Sequence, residues 1–243
     1  VFMVSEQDLS LLAARGVLEK LNGYMDRKDQ AAFYPVAFES GVFQGQTYAL
    51  PYESNPILMC VNKDLLDKEG IAVPKEGWTL EEFYTICKKL TKDTNGDGQL
   101  DQFGSTEYTW KEALAANGGY LFQGGMLKLT APEVKESLTF LQKLEDLNKN
   151  YKVSSKDFDQ GKVAFYPMTL AQYRTYKPYP YHVSKYSNFT WTCIPMPAKS
   201  KTTKATLVTT TSFAMSARTS QQRIPKFNKP SLSNPKGSPS CHR

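Results

Sequence analysis

The sequence predicts an α/β protein. Three observations carry the prediction: short apolar runs alternate with segments of helical periodicity, two helices open on capping boxes, and a proline-bracketed break separates two such runs.

Val1–Val4 reads as a buried strand, and Glu6–Ser10 leads into a helix over Leu11–Leu21 that ends or is interrupted near Gly16. Gly45-Gln46 marks a turn before a strand at Thr47–Leu50. Pro51-Tyr52-Glu53-Ser54-Asn55-Pro56 then breaks the pattern, and the apolar run Ile57–Val61 follows, as in a crossing from one packed unit to another. Thr79 and Glu82 form a capping box, in which each side chain satisfies an amide that the first helical turn leaves open. Phe83, Ile86, Cys87 and Leu90 repeat behind it at helical spacing. A second box, Thr130 with Glu133, opens a helix through Val134, Leu138, Leu141, Leu144 and Leu147. Lys162–Tyr166, Phe189–Ile194 and Leu207–Met215 read as strands, and no internal repeat is visible. From Arg223 to Arg243 the chain is rich in Pro and Ser and aperiodic, too poor in apolar surface to order itself.

The 40% apolar and 22% charged content is that of a globular chain with a real core. No stretch approaches the roughly 18 apolar residues of a membrane-spanning helix. The net charge of +6 does not point to nucleic acid, because five of those charges come from residues 223–243 and no basic stripe remains elsewhere. Cys60, Cys87, Cys193 and Cys241 show no CxxC pair and no paired spacing, so no zinc or redox motif is read; Cys60 and Cys87 read as small buried hydrophobes. Val1–Val4 has no secretory leader, and its abrupt start leads us to expect further chain upstream.

Asp93-Thr94-Asn95-Gly96-Asp97-Gly98-Gln99-Leu100-Asp101 matches a calcium loop. Asp93, Asn95, Asp97 and Asp101 would supply side-chain oxygens, Gln99 its carbonyl, and Gly96 the sharp turn around a structural Ca²⁺. Position 12, a bidentate Glu in the full motif, is Gly104, and the alternative is a solvated Asx/Gly turn. Aromatic side chains gather at Tyr108 and Trp110, at Tyr173, Tyr176, Tyr179 and Tyr181, and at Trp191. Such rings stack on sugar faces or pack in cores; the polar loop Ser105–Trp110 favours a site for Tyr108 and Trp110. Catalytic arrangements are poor: His182 and His242 have no nucleophile partner, and neither G-x-S-x-G nor a phosphate-binding glycine loop occurs.

The segments "VFMVSEQDLSLLAARGVLEKL", "YALPYESNPILMCVNKDLLDKEGI", "WTLEEFYTICKKLTKDTNGDGQLDQFG", "ALAANGGYLF" and "GKVAFYPMTLAQY" resemble the extracellular solute-binding proteins of sugar ABC importers, the maltose-binding-protein-like family. The resemblance covers about residues 1–222 and is most specific from Tyr48 to Gly119. It implies a two-lobed, periplasmic-binding-protein-like fold of type II with the first lobe incomplete. Residues 1–52 and 206–222 would form that lobe, 53–56 the hinge, 57–205 the second lobe, and 223–243 a disordered tail.

By the same resemblance the ligand is a carbohydrate held in the cleft by Glu6, Gln7, Asn55, Tyr108, Trp110, Met168, Thr169 and Tyr173, with Ser5 beside them. Met168–Tyr173 departs from the family's frequent Gly-Pro-Trp, and Tyr173 would supply the ring instead. The implied protein is a monomer and not an enzyme. It would work outside the cytoplasm, in a periplasm or tethered as a lipoprotein, and hand its ligand to the membrane subunits of an ABC permease. A glycan-acting hydrolase and a truncated remnant without ligand are the rival readings.

Overall fold

The computed structural model describes residues 1–119, 122–123, 126–176, 189–201 and 208–215. The side chains of Glu6, Gln7, Val36, 122–123, 126–127, 174–176 and 208–211 are outside that description, as are Tyr179, Tyr181, His182 and the tail 223–243.

The chain opens with β1 (Phe2–Ser5), whose burial is confined to Val4, so the expected buried strand is largely exposed. Helix α1 (Glu6–Ala14) begins earlier than its apolar pattern indicates, because Ser5 caps it: the hydroxyl accepts from the Asp8 amide at 3.2 Å. It stops before Gly16, whose φ of +65° suits glycine and ends the helix. A 3₁₀ turn (Asn22–Tyr24) and two short helices, α2 (Arg27–Ala31) and α3 (Pro35–Glu39), lead to the hairpin β2 (Val42–Phe43) and β3 (Gln46–Thr47). Strand β4 (Ala49–Asn62) follows, then α4 (Lys63–Lys68) and α5 (Leu80–Leu90), the latter on the Thr79/Glu82 capping box read from sequence. Strand β5 (Phe103–Ser105) and α6 (Trp110–Ala116) come next, then the small hairpin β6 (Phe122–Gln123) and β7 (Met126–Leu127).

Helix α7 (Pro132–Asp146) is capped by Ala131 without a side-chain bond, so the Thr130/Glu133 box does not form. Pro132 at the first helical position accounts for this: its fixed φ starts the helix and it has no amide to satisfy. The chain ends with α8 (Ser155–Asp159), β8 (Val163–Thr169), α9 (Leu170–Tyr176), β9 (Trp191–Ile194) and β10 (Val208–Ala214). Among the described residues, no helix is long and apolar enough to cross a membrane.

Six strands form one sheet in the order β1-β10-β4-β8-β5, with β9 also pairing β4. All pairs are antiparallel except β5 with β8. The expected break at Pro51–Pro56 does not interrupt the backbone: β4 is a single strand of 14 residues. Its partners change instead. Residues Ala49–Pro56 pair with β10, Ile57–Val61 with β8, and Met59–Asn62 with β9. Both prolines are tolerated because, among the described residues, the first half of β4 has a partner on one side only. An irregularity between Thr211 and Ser212, opposite Glu53 and Pro51, leaves Tyr52 as the extra residue.

Helices cover both faces of the β4–β8–β5 part. On one face Met59, Val61 and Phe165 meet Trp78, Phe83 and Leu90. Phe83 is fully buried, its ring 5.6 Å from Trp78, 5.0 Å from Tyr108 and 5.5 Å from Phe165. Each phenylalanine buried this way contributes about 1.5–3 kcal/mol. Gly104 lets α5 lie directly on β5, since a Cβ there would sit 2.4 Å from the Cys87 Cα. On the other face Cys60, Phe103, Phe158, Val163, Tyr166 and Met168 form a second core. A third, around Val4, Leu9, Ala49 and Ala214, holds α1 against the β1–β10 edge.

Candidate functional site

The pairing change along β4 gathers polar chain ends around its middle. Ser5 on β1 is opposite Thr211 on β10, which is opposite Glu53 on β4. With strands about 4.8 Å apart, the start of α1 is roughly 10 Å from Glu53. Asn55, two residues on, donates through Nδ2 to Glu53 Oε1 at 3.2 Å. From the other side β8 ends beside the same stretch, Thr169 opposite Ile57. Thr169 caps α9: its hydroxyl accepts from the Gln172 amide at 3.2 Å, and Gln172 Oε1 accepts from the Thr169 amide at 2.8 Å.

A cleft of about 550 Å³ opens here, lined by Leu58, Leu170, Tyr173, Trp191, Thr192 and Cys193. Tyr173 and Trp191 stand edge to face, ring centres 5.7 Å apart at 80°. Side chains alternate along a strand, so Leu58 opens on the face of Cys60, whereas Asn55 shares the opposite face with Ile57 and Met59. Asn55 is therefore at the crossing but not among the cleft residues.

Beside the cleft runs a polar chain. Gln172 Nε2 donates to the Tyr166 hydroxyl at 3.1 Å, and the Glu107 carboxylate accepts from the Ser155 amide at 3.2 Å. Burial, then the neighbouring Glu107 carboxylate and a hydrogen bond to it, push the Tyr166 phenol well above its ordinary value. Glu107 has a φ of +51°, a left-handed backbone that a side-chain-bearing residue adopts at a cost. Sequence reasoning missed Glu107, Tyr166 and Gln172. Thr169-Leu170-Ala171-Gln172 was a legible capping signature; nothing in the sequence marks the Glu107 backbone.

The other anticipated ligand residues divide. Tyr173 lines the cleft and Thr169 caps the helix that carries it. Met168 is buried in the second core and is not among the residues that line the cleft. Glu6 and Gln7 occupy the first turn of α1, their side chains outside the described residues. Tyr108 departs from the expectation: it is 8% exposed, packed against Phe83 and Phe140, so its ring faces are not open to a sugar. Its hydroxyl is buried without a hydrogen-bond partner among the described residues. Trp110, 41% exposed, begins α6 and lines a separate apolar groove with Leu114, Leu129, Val134, Ser137 and Leu138. Leu138, on the helix read from the sequence, is exposed on the rim of that groove.

The 93–101 loop closes on itself. Asp93 accepts from the Asn95, Gly96 and Gly98 amides at 3.1, 2.6 and 2.7 Å, and those bonds, led by Gly98 and Gly96, hold its carboxyl below the usual range. Asp97 accepts from the Gln99 amide, and Asp101 turns to Thr94. Among the described residues, no group of three or more His, Cys, Asp and Glu is gathered to hold a metal.

The model of the family described as bacterial extracellular solute-binding protein matches residues 1–222, and the chain belongs to that family. A Brucella abortus protein described as a binding protein is 34% identical over 149 residues, 57% of this chain and 36% of the relative. An ABC substrate-binding protein from Listeria monocytogenes in complex with cycloalternan superposes with a TM-score of 0.64 at 22% identity, covering 89% of this chain and 56% of that one. The maltose/maltodextrin-binding domain MalE from Bdellovibrio bacteriovorus, bound to maltotriose, gives 0.60 at 19%, covering 88% and 56%. UgpB from Mycobacterium tuberculosis, with glycerophosphocholine, gives 0.64 at 18%, covering 90% and 55%. The fold is that of the two-lobed substrate-binding proteins, and the chain spans about a third of the Brucella relative and a little over half of these structures.

Proposed function

We propose that the chain captures a sugar or oligosaccharide and delivers it to the membrane subunits of an ABC permease, outside the cytoplasm, as a monomer. The observation that carries this reading is the Tyr173–Trp191 pair lining a cleft beside the β4 crossing. Rings in that arrangement offer faces and edges to the apolar side of a pyranose, while nearby amides and hydroxyls bind its polar rim. Cycloalternan and maltotriose, bound by two proteins of similar fold, support a carbohydrate ligand. A glycerophosphocholine-bound relative keeps small polar phosphodiesters in the panel to be tested.

The lobes would be 1–52 with 206–222 and 57–205, with 53–56 as hinge; the switch of β4 partners at Pro56 and Ile57 supports this division. Calcium at 93–101 is part of the same proposal; binding there would require Asp97 and Asp101 to turn towards Asp93. Calorimetry against a panel of oligosaccharides and small phosphodiesters tests the main reading. Binding lost in Tyr173→Ala with an unchanged melting temperature supports it; binding unaffected by that substitution removes the cleft as the site.

A further inference from the structure

The two free thiols at the cleft wall are far apart in sequence and adjacent in space. Cys60 on β4 is directly opposite Cys193 on the antiparallel β9. The Lys63 amide donates to the Thr190 carbonyl at 2.8 Å, continuing that ladder by a hydrogen-bonded pair. Hydrogen-bonded and non-hydrogen-bonded pairs alternate along an antiparallel ladder, so Cys60 and Cys193, three steps away, are a non-hydrogen-bonded pair. Side chains are closest at such pairs, with Cα atoms about 4.5 Å apart. A disulfide spans Cα separations of about 4.4–6.8 Å. Both side chains lie on the face of the second core, Cys60 buried within it and Cys193 packed against it and lining the cleft.

We propose that Cys60 and Cys193 are a disulfide-forming pair, oxidised through the cleft by an external disulfide, which ties β9 to β4 at the cleft wall. The family is extracellular by its description, and disulfides persist in extracytoplasmic spaces. The chemistry balances as two exchanges. The Cys193 thiolate attacks one sulfur of the external disulfide, forming a mixed disulfide and releasing one thiolate. Cys60 then loses its proton and attacks the Cys193 sulfur, forming the Cys60–Cys193 bond and releasing the second thiolate. The protein loses two hydrogens, and the external disulfide is reduced to two thiols.

The order of attack follows from the surroundings. A hydrogen bond with Cys60 lowers the Cys193 thiol below its ordinary value, while the same bond, followed by burial, raises Cys60. Cys193 is also the one that reaches the cleft. Cys87 is buried elsewhere, on α5, and burial raises its thiol, so it stays reduced and serves as an internal control.

The test uses the chain with Cys241→Ser, which removes the remaining thiol, incubated with oxidised glutathione. The expected results are an intact-mass decrease of about 2 Da, as two hydrogens leave, a peptide map joining Cys60 to Cys193, and a higher melting temperature that dithiothreitol reverses. Cys193→Ser should abolish all three. A stable glutathione adduct on Cys193 that never resolves onto Cys60, or a map joining other cysteines, overturns the proposal. So does a thiol at Cys60 that remains alkylatable after unfolding of the oxidised protein.

Discussion

The Gln172 amide donates to the Tyr166 hydroxyl across the junction of α9 and β8, while the other end of the same side chain caps α9 through Thr169. One residue thus sets both the start of the helix that carries Tyr173 and the position of a buried phenol. Gln172→Ala should lower stability by about 0.5–2 kcal/mol, the usual worth of a cap, and weaken ligand binding as Tyr173 loses its support. Urea unfolding and calorimetry on the same variant check both parts; wild-type values in both would remove Gln172 from this role.

Trp110 and Tyr173 separate two readings of the ligand site. If the cleft is the site, Tyr173→Ala should weaken sugar binding by about 1–3 kcal/mol, as for a central aromatic contact. Trp110→Ala should leave affinity within about twofold, because its ring faces the α6–α7 groove. The reverse ranking in calorimetry would restore the Ser105–Trp110 loop as the contact.

Tyr108→Phe should be neutral or stabilising, because the hydroxyl removed is buried and has no partner among the described residues. Burial first, then the Glu112 charge, raises the Tyr108 phenol in the folded state. A raised folded value gives stability that is present below the unfolded value near about 10 and lost as pH rises above it. Wild type should therefore lose stability above pH about 10, and Tyr108→Phe should flatten that fall. Melting scans from neutral to alkaline pH decide it.

Phe83→Ala should cost about 3–5 kcal/mol, since four aromatic rings surround the side chain and none can close the cavity without moving an element. A guanidinium midpoint shifted by much less would mean that α5 can collapse onto β4.

Millimolar calcium should raise the melting temperature if the 93–101 loop opens to the ion, and Asp97→Ala should abolish the shift. No shift at several millimolar would leave the loop as the self-bonded turn described above.

Much of the architecture was legible because it rests on local rules. The Thr79/Glu82 box and the apolar spacing behind it specify α5, and the strands at Val163, Trp191 and Val208 lie within a few residues of their apolar runs. The departures come from longer-range causes. Pro51 and Pro56 signalled a break, but a side of β4 left open among the described residues lets both remain in a continuous strand. Tyr108 sits in a polar stretch, yet the turn at Glu107 directs its ring into the core. Cys60 and Cys193 share no spacing motif, because antiparallel pairing across β4 and β9 is invisible to local pattern.

The pairing of β1 also bears on how the chain acquires its structure. Among the described residues its sheet neighbour is β10, with Val4 opposite Ser212. During synthesis at roughly 5–20 residues per second, β1 would wait roughly ten to forty seconds for that partner to emerge. Phe2, Met3 and Val4 lack β10 in the interval, and an apolar strand without its mate is a template for the wrong chain. The delay makes the completion of this edge a late, high-contact-order event. A pulse-labelled hydrogen-exchange experiment should find the β1 amides protected after those of β4 and β8.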